Sequence, residues 1–378
     1  MELFKMRRPF VKRVLPAFVI LLVCAIAALS AFRACRERSS GRTSSKSARA
    51  LAVQWRVPMA ARPNSPCRYS DGWIVSDDSG GVTALSTAGL RVWQTSFSND
   101  VFDAGAAVTD GLVVLASQQG HVFALWAVSG EVSWSQTLDG CFQHAPLTGW
   151  VNSETVLWLM SHSDGQLFCL RLSDGQIVWK SEPTNRSDGE PVAWHGNLAY
   201  GNCDGAVYVF DAADGRLKGS VAVGSDDQMA GGLLATDSGM LVAGTRQGNL
   251  ALVNSNTLTL DALVSVSQSE AFVAPVEAFD DLIAMGTPEG EVVFSRIGVK
   301  QVRIARRLSA GAPVDRLMFK RGRLYALAGG SLCEWSSPDG PVTRLALGDD
   351  VSAVSAGIDG ELSCVADRAV VCIRETIP

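Results

Sequence analysis

The sequence predicts an all-β protein: an eight-bladed β-propeller of four-stranded blades, closed by its N-terminal strand and preceded by one N-terminal transmembrane helix. Three observations support this fold. A β-hairpin motif returns about every 40 residues from 51 to 378, glycine is frequent at 36 residues while only 19% of residues are charged, and an uncharged run lies near the N-terminus. Fixed periods of this length are typical of propellers, and long helices would need more charged and fewer glycine residues.

The first predicted element is a transmembrane signal anchor at residues 14–32. These 19 residues carry no charge, and a basic cytoplasmic segment at residues 1–13 precedes them. A helix of about 20 apolar residues spans the hydrocarbon core of a bilayer. Two alternatives stay open: cleavage of a signal sequence after Ser30, and lipidation of Cys35, although the residues before this cysteine make a poor lipidation motif.

Residues 33–50 are predicted to be a flexible linker, since they contain five Ser and six basic residues but almost no apolar side chains. Basic residues therefore flank the apolar run on both sides, and the positive-inside rule does not fix its orientation. We expect an exported propeller, on the periplasmic side, because the N-terminus has the form of an export signal.

The charge of the chain is divided between its two ends. Residues 1–50 carry a net charge of +9, whereas residues 51–378 carry a net charge of −14. A body with this much negative charge repels phosphate backbones, so nucleic acid is not an expected partner.

Each repeat unit contains an apolar strand, a short turn that usually includes glycine, and a second apolar strand, which together form a β-hairpin. The turn and second strand read SGGVTAL (79–85), QGHVFAL (119–125), DGQLFCL (164–170), DGAVYVF (204–210), QGNLALV (247–253), EGEVVFS (289–295), GGSLCEW (329–335) and DRAVVCI (367–373). Short segments with proline, such as HAPLTG and GAPVDR, precede several hairpins and are suited to an innermost strand. Eight units of about 41 residues fill positions 51–378, which predicts eight blades.

Tryptophan marks the fourth strand of a blade. The first three hairpins are followed by a further turn and a strand that reaches Trp93, Trp134 or Trp179. The eighth hairpin has no such strand after it, whereas the segment 51–59 contains Trp55 and has no hairpin before it. We therefore expect 51–59 to complete the eighth blade and close the ring.

The strings STAGLRVW, AVSGEVSW and LSDGQIVW resemble the pyrroloquinoline-quinone-like β-propeller repeat family, strongly in the first three units and faintly afterwards, where Gly219 takes the place of tryptophan. That family includes quinone-dependent dehydrogenases and non-enzymatic scaffolds, among them a component of the outer-membrane β-barrel assembly machinery. The enzymes have a vicinal cysteine pair and long added loops, whereas this chain has no adjacent cysteines and about 41 residues per blade. The resemblance therefore implies a scaffold without a quinone cofactor.

No catalytic, cofactor-binding or metal-binding residue is predicted. None of the four histidines has a second histidine or a cysteine at metal-ligand spacing, and no phosphate-binding or nucleophile motif is present. Cys169 and Cys372 occupy the same hairpin position as Ala84 and Ala124 and are predicted core residues. Cys364 and Cys372 lie on paired strands of one hairpin and could be close, although strand-pair geometry seldom suits a disulfide.

The first functional hypothesis is a monomeric, membrane-tethered scaffold that binds envelope proteins, including the β-barrel assembly machinery, through the loops between blades. Such loops carry function more often than strands do, although many are simply solvated. Two polar loops are candidates, at residues 182–191 and 224–229, and the predicted partner-binding residues in them are Arg186, Asp188, Asp226 and Asp227.

The alternative hypothesis is a periplasmic sensor or small-ligand binder that uses the central channel. It predicts that polar side chains converge at inner-strand positions near Asp103, His144 and Asp315. Fold alone does not separate the two hypotheses, because function depends on sites that a fold carries.

Overall fold

A computed structural model describes residues 50–376 except 71, 225–226, 230, 271–274 and 358–359. The predicted basic segment, signal anchor and linker up to residue 49 therefore lie outside the described residues, as do Cys35 and Asp226. Within the described part, no helix is long and apolar enough to cross a membrane.

The described residues form eight antiparallel four-stranded sheets, one for each predicted repeat unit. Blades 1 to 4 consist of β2 (Cys67–Tyr69), β3 (Gly72–Ser76), β4 (Gly81–Ser86), β5 (Arg91–Ser96); β6 (Ala107–Thr109), β7 (Leu112–Ala116), β8 (His121–Trp126), β9 (Val132–Thr137); β10 (Leu147–Val151), β11 (Glu154–Met160), β12 (Leu167–Arg171), β13 (Ile177–Lys180); β14 (Val192–Trp194), β15 (Asn197–Gly201), β16 (Ala206–Asp211) and β17 (Leu217–Ala222).

Blades 5 to 8 consist of β18 (Leu233–Ala235), β19 (Met240–Gly244), β20 (Asn249–Asn254), β21 (Thr259–Ser265); β22 (Val276–Glu277), β23 (Leu282–Gly286), β24 (Glu291–Gly298), β25 (Gln301–Ser309); β26 (Val314–Lys320), β27 (Arg323–Ala328), β28 (Ser331–Trp335), β29 (Thr343–Ala346); β30 (Val351–Ala356), β31 (Glu361–Ala366), β32 (Ala369–Thr376) and β1 (Ala50–Pro58). A 3₁₀ turn at Phe279–Asp281 lies in blade 6. First strands of neighbouring blades contact one another, so they are innermost. The eight-bladed propeller is confirmed.

The core lies between adjacent sheets. The second strand of a blade is buried along its whole length in β7 and β23, because each sheet is covered by a neighbour on both faces. Val114 of blade 2, for example, packs in one cluster with Leu157 and Phe168 of blade 3. Burying such a side chain contributes about 2 kcal/mol each. The apolar runs on both strand faces therefore produce radial stacking of the sheets.

Proline and glycine occupy the positions that their backbones require. A proline directly precedes the innermost strand in five blades, as expected: these are Pro66, Pro146, Pro191, Pro275 and Pro313. Gly290, in the turn between the second and third strands of blade 6, has a φ of +82°. A Cβ there would lie 2.9 Å from the backbone of Ala312, so any other residue would strain both the turn and the next connection.

The ring closes as predicted. β1 is the fourth strand of blade 8 and pairs with β32. The amide of Met59, just after β1, donates to the carbonyl of Arg368, just before β32, at 3.0 Å, so the two strands are antiparallel. Arg56 adds an ion pair of 2.8 Å with Asp367 and donates to the carbonyl of Leu347 at 2.8 Å.

The two faces of the propeller carry different turns and connections. We call the first the loop face: it carries the connections between blades and the turns between second and third strands. The opposite side, which we call the hairpin face, carries the turns from first to second and from third to fourth strands. Since β1 ends beside the β31–β32 turn on the loop face, Leu51 at its start lies on the hairpin face.

Tryptophans join half of the blade interfaces. Trp93, on the fourth strand of blade 1, donates its indole N–H to the carbonyl of Ala127 in blade 2 at 2.9 Å, and its ring lies on Gly130. Trp55 and Trp134 make the same bond to the next blade, each at 2.7 Å. The glycines under the four rings are Gly89, Gly130, Gly175 and Gly215.

The fourth ring, that of Trp179, docks differently. It lies on Gly215, but its indole N–H has no partner among the described residues. The carbonyl that corresponds to the other acceptors belongs to Ala212, and Trp158 donates to it at 3.3 Å.

The remaining interfaces use other residues. A shared bulge in the pairing of the third and fourth strands identifies the positions equivalent to Trp93 as Gly219, Ala262 and Arg306. Leu258 of blade 5 fills the space beside Gly219. Arg306 instead forms an ion pair with Asp339, in the blade 7 turn between its third and fourth strands.

The cysteines of the propeller are free thiols. Cys169 lies opposite Trp179 in the same register in which Ala84 lies opposite Trp93, so the predicted equivalence of Cys169 and Ala84 is confirmed. Cys169, Cys364 and Cys372 are buried, and burial raises the pKa of each thiol. No disulfide joins Cys364 to Cys372.

Candidate interaction surface

The connection between blades 3 and 4, residues 181–191, is fixed on the loop face. Ser187 within it is fully buried. Its amide donates to the carbonyl of His162 in blade 3 at 3.1 Å, and its hydroxyl donates to the carbonyl of Gly201 in blade 4 at 2.7 Å. The two blades therefore hold this loop in one conformation, and its outer side chains have defined positions.

Arg186 and Asp188 lie on either side of Ser187 and form an ion pair. Both Nε and Nη2 of Arg186 lie 2.9 Å from one carboxylate oxygen of Asp188. The other oxygen accepts a hydrogen bond from the thiol of Cys203 at 3.4 Å, and His162 Nε2 lies 3.6 Å from the carboxylate. The Arg186 side chain is 59% exposed, so its charge remains open to a partner.

The environment of Asp188 keeps its carboxylate ionised. Partial burial acts to raise the pKa, but the hydrogen bonds from Arg186 and Cys203 outweigh it, and the pKa of Asp188 lies below its ordinary value. The same carboxylate raises the pKa of the Cys203 thiol, together with burial, which is the larger cause. The pair thus presents a permanent charge arrangement rather than a titrating one.

Asp227 has a different position from Arg186 and Asp188. It is 5% exposed, and its carboxylate oxygens accept hydrogen bonds from the amide of Gln247 at 2.9 Å and the side chain of Asn249 at 3.1 Å. It therefore fixes the connection between blades 4 and 5 to a blade 5 turn. The side chain beside it that reaches solvent is Arg246, 42% exposed and ion-paired with Glu270 at 3.1 Å.

Three residues at this surface have no signal in the local sequence: His162, Cys203 and Arg246. Each lies in a turn between second and third strands and meets a loop that is distant in the chain. The 40-residue spacing between these turns could have predicted the contacts. Each connection between blades lies in the chain between the turn of one blade and the turn of the next, so a propeller brings both turns close to it.

In the described part of the chain, no hydrogen bond or ion pair links the candidate channel residues to one another. Nε2 of His144 is buried and has no hydrogen-bond partner in the described structure. Burial lowers the pKa of His144, and the negative charges of Glu190 and Asp188 oppose this effect. Asp103 precedes the innermost strand of blade 2, Asp315 lies in that of blade 7, and both are exposed. The described part of the chain also holds no cluster of His, Cys, Asp or Glu arranged for a metal ion.

A groove of about 460 Å³ lies on the hairpin face between blades 2 and 3. Its lining includes Trp126, Glu154 and Arg171. Arg171 pairs with Glu154 at 3.2 Å and with Asp174 at 2.9 Å, so an exposed arginine–aspartate pair also exists on the face opposite Arg186. This second pair provides a matched comparison for the first.

Comparison with known proteins identifies the repeat. A family model described as outer membrane protein assembly factor BamB matches residues 78–257, from blade 1 to the outer turn of blade 5. The chain is a propeller of PQQ-like repeats that resembles BamB. The matched region contains three of the four docking tryptophans, Trp93, Trp134 and Trp179, and both predicted partner-binding loops.

The relatives match over part of their length. BamB of Taylorella asinigenitalis is 35% identical over 94 residues, which are 25% of this chain and 24% of that protein. BamB of Yersinia pestis is 26% identical over 187 residues, covering 45% and 44%. The chain therefore spans less than half the length of the curated relatives it matches.

Solved structures share the fold. BamB from Moraxella catarrhalis has a TM-score of 0.69 at 17% identity and covers 86% of this chain and 99% of that one. A europium-containing methanol dehydrogenase has a TM-score of 0.66 at 12% identity, covering 83% and 84%. The same ring thus supports both an assembly factor and an enzyme, so the functional argument depends on the surface.

Proposed function

We propose that this protein is an exported, membrane-tethered propeller scaffold that binds other envelope proteins during outer-membrane β-barrel assembly. The observation that carries the proposal is the likeness to BamB over residues 78–257, which include the fixed loop with Arg186 and Asp188. The relatives are named as outer-membrane assembly factors, which supports a role in that process. Because this chain matches less than half of their length, the proposal does not extend to everything that those proteins do.

The loop face suits a protein partner. The connection at 181–191 is ordered before binding, so little conformational entropy is lost when a partner docks. Arg186 is exposed, and arginine is enriched among the residues that dominate binding at protein interfaces. We place the contact at Arg186 and Asp188, with Asp227 holding the neighbouring connection; Asp226 remains a predicted contact outside the described residues.

The channel hypothesis has less support. A small ligand would need several polar groups around one cavity, whereas His144 associates with Glu190 and Asp188 and not with Asp315. A scaffold needs no such convergence.

Affinity capture of the tagged full-length protein from gently solubilised envelopes tests the proposal, with partners identified by mass spectrometry. We expect β-barrel assembly components at near-stoichiometric levels. Arg186→Glu should lower their recovery by about tenfold or more, as reversal of a charge at a central contact does. Arg171→Glu is the matched control, since Arg171 also pairs with an aspartate at 2.9 Å but lies on the hairpin face.

Two results would contradict the proposal. Recovery of the protein alone, in an experiment that captures a known complex in parallel, would remove the scaffold function. Equal losses from Arg186→Glu and Arg171→Glu would remove the assignment of the contact to the loop face.

A further inference from the structure

The hairpin of β24 and β25 in blade 6 has a basic tip with an exposed apolar residue at its end. The two strands are paired as far as Gly298 and Gln301, so the turn consists of Val299 and Lys300. Val299 is 90% exposed. Arg296 and Arg303 lie beside the turn, and both are exposed.

The two arginines are arranged unfavourably for the protein alone. Arg296 and Arg303 are direct cross-strand partners. Like charges directly opposite each other on a β-ladder destabilise the pairing, and residues 296–303 contain no acidic side chain to compensate. An external anion that binds between the two guanidinium groups would relieve this repulsion.

Blade 7 adds positive charge on the same face. Its turn between first and second strands carries Lys320 and Arg321, both exposed. Acidic groups on this part of the hairpin face include Glu277, Asp280 and Asp281, at the innermost turn of blade 6. Two others are already paired, Asp339 with Arg306 and Glu334 with Arg323. The outer rim of the hairpin face is therefore basic at blades 6 and 7, in a propeller region whose net charge is −14.

The covalent connection of the chain points to the same face. Residues 1–49 join the propeller at the start of β1, on the hairpin face of blade 8, next to blade 7. They include the uncharged run at 14–32 and the basic linker. The rim of the hairpin face is therefore the part of the propeller at which the chain connects to this segment.

We propose that the basic tip of the β24–β25 hairpin binds the anionic surface of a phospholipid bilayer, with Arg296, Lys300 and Arg303 contacting headgroup phosphates. Basic residues are attracted to anionic membrane surfaces over about one Debye length. Val299 at the end of the turn enters the interfacial region, as apolar side chains of peripheral membrane proteins do. The hairpin face then lies against the membrane, and the loop face with Arg186 points away from it and is free for protein partners.

Hydrogen exchange of the full-length chain, mixed with vesicles and isolated by flotation, tests this inference. Vesicles of pure phosphatidylcholine are compared with vesicles that contain 30% phosphatidylglycerol, about a physiological anionic share. We expect amides of residues 296–303 to gain protection on the anionic vesicles only, and to lose it at 1 M salt. The equivalent turn of blade 2, where Val128 is 75% exposed beside Glu131, should be unprotected on both.

Charge-reversal variants sharpen the test. Arg296→Glu combined with Lys300→Glu and Arg303→Glu should abolish the protection and reduce any anion-dependent flotation by about tenfold or more, because each basic residue contributes separately. The matched control reverses Lys180, Arg216 and Lys218 of blades 3 and 4 to Glu and should leave the protection unchanged.

The outcomes separate this inference from the proposed tether. If the chain floats with phosphatidylcholine vesicles but residues 296–303 stay unprotected on anionic ones, the tether stands and the inference is wrong. If the chain floats only with anionic vesicles and the tip is protected, the inference stands without a tether. Equal protection on both vesicle types would overturn the inference, because it would show membrane contact that does not depend on charge. Protection that appears only when envelope proteins are added would also overturn it, because it would indicate a protein partner.

Discussion

The two halves of the ring are held together by different chemistry. In blades 8, 1, 2 and 3, the outer strand carries a tryptophan that lies on a glycine of the next blade. In blades 4, 5 and 6, the equivalent positions are Gly219, Ala262 and Arg306, and Arg306 forms an ion pair with blade 7. Both halves nevertheless have the same four-stranded sheets in the same order.

The difference shows that strand periodicity, rather than the tryptophan contact, specifies the propeller. The second and third strands are largely apolar and buried in every blade, and this stacking supplies most of the burial. The tryptophan contact is an addition at the outer edge. The family match over residues 78–257 likewise continues through blade 4, where Gly219 takes the place of tryptophan.

The largest effect should come from adding a methyl group under a docked ring. Gly130 has a φ of +74°, and a Cβ there would overlap the ring of Trp93. We expect Gly130→Ala to lower the free energy of unfolding by about 3 kcal/mol, of which about 1 kcal/mol is backbone strain and the rest displaced packing. Urea unfolding measured by tryptophan fluorescence gives the value.

Gly196 provides the matched control for that change. Its φ is +75°, but a Cβ there would meet nothing within 4 Å. Gly196→Ala should therefore show only the backbone contribution of about 1 kcal/mol. Equal losses at Gly130 and Gly196 would mean that the tryptophan contact adds no stability.

The fold follows from the sequence more fully than the surface does. Hairpin spacing depends on residues close in the chain, so eight blades and the role of Trp55 in closing the ring are predictable. The surroundings of Asp188 are not, because His162 and Cys203 reach it from two other turns. The burial of Asp227 and the Arg306–Asp339 ion pair likewise depend on contacts between blades. The polarity of a loop residue does not show whether its side chain is hydrogen-bonded within the protein or exposed to solvent.

The second prediction compares how the stability of the two halves of the ring depends on pH. In blade 6, Glu289 accepts the amide of Gln268 at 3.1 Å and the hydroxyl of Ser267 at 2.9 Å. Desolvation acts to raise its pKa, but hydrogen bonds lower the pKa to about 2. In blade 2 the neutral Gln119 accepts the corresponding amide, that of Val101, at 2.8 Å.

Because its pKa is lowered, Glu289 contributes to stability at pH values above its ordinary pKa of 4.5. This contribution is lost as the pH falls from 4.5 towards about 2. After allowance for solvent screening, the contribution is about 1 kcal/mol. Glu289→Gln should therefore flatten the dependence of unfolding free energy on pH in this range, and Gln119→Glu should steepen it. An unchanged slope in both variants would contradict the proposed hydrogen-bonding role.

The smallest effect should come from the ion pair that replaces a tryptophan contact. Arg306 and Asp339 are 45% and 69% exposed, so water and salt screen their attraction. A double-mutant cycle with Arg306→Ala and Asp339→Ala should give a coupling energy of about 0.5 kcal/mol at low salt and close to zero at 1 M. The loss from Gly130→Ala should be nearly independent of salt, because it involves no charge. A coupling energy above about 2 kcal/mol, or one that salt does not change, would show instead that this ion pair is shielded from water when the blades pack, and that the two halves of the ring have outer contacts of similar strength.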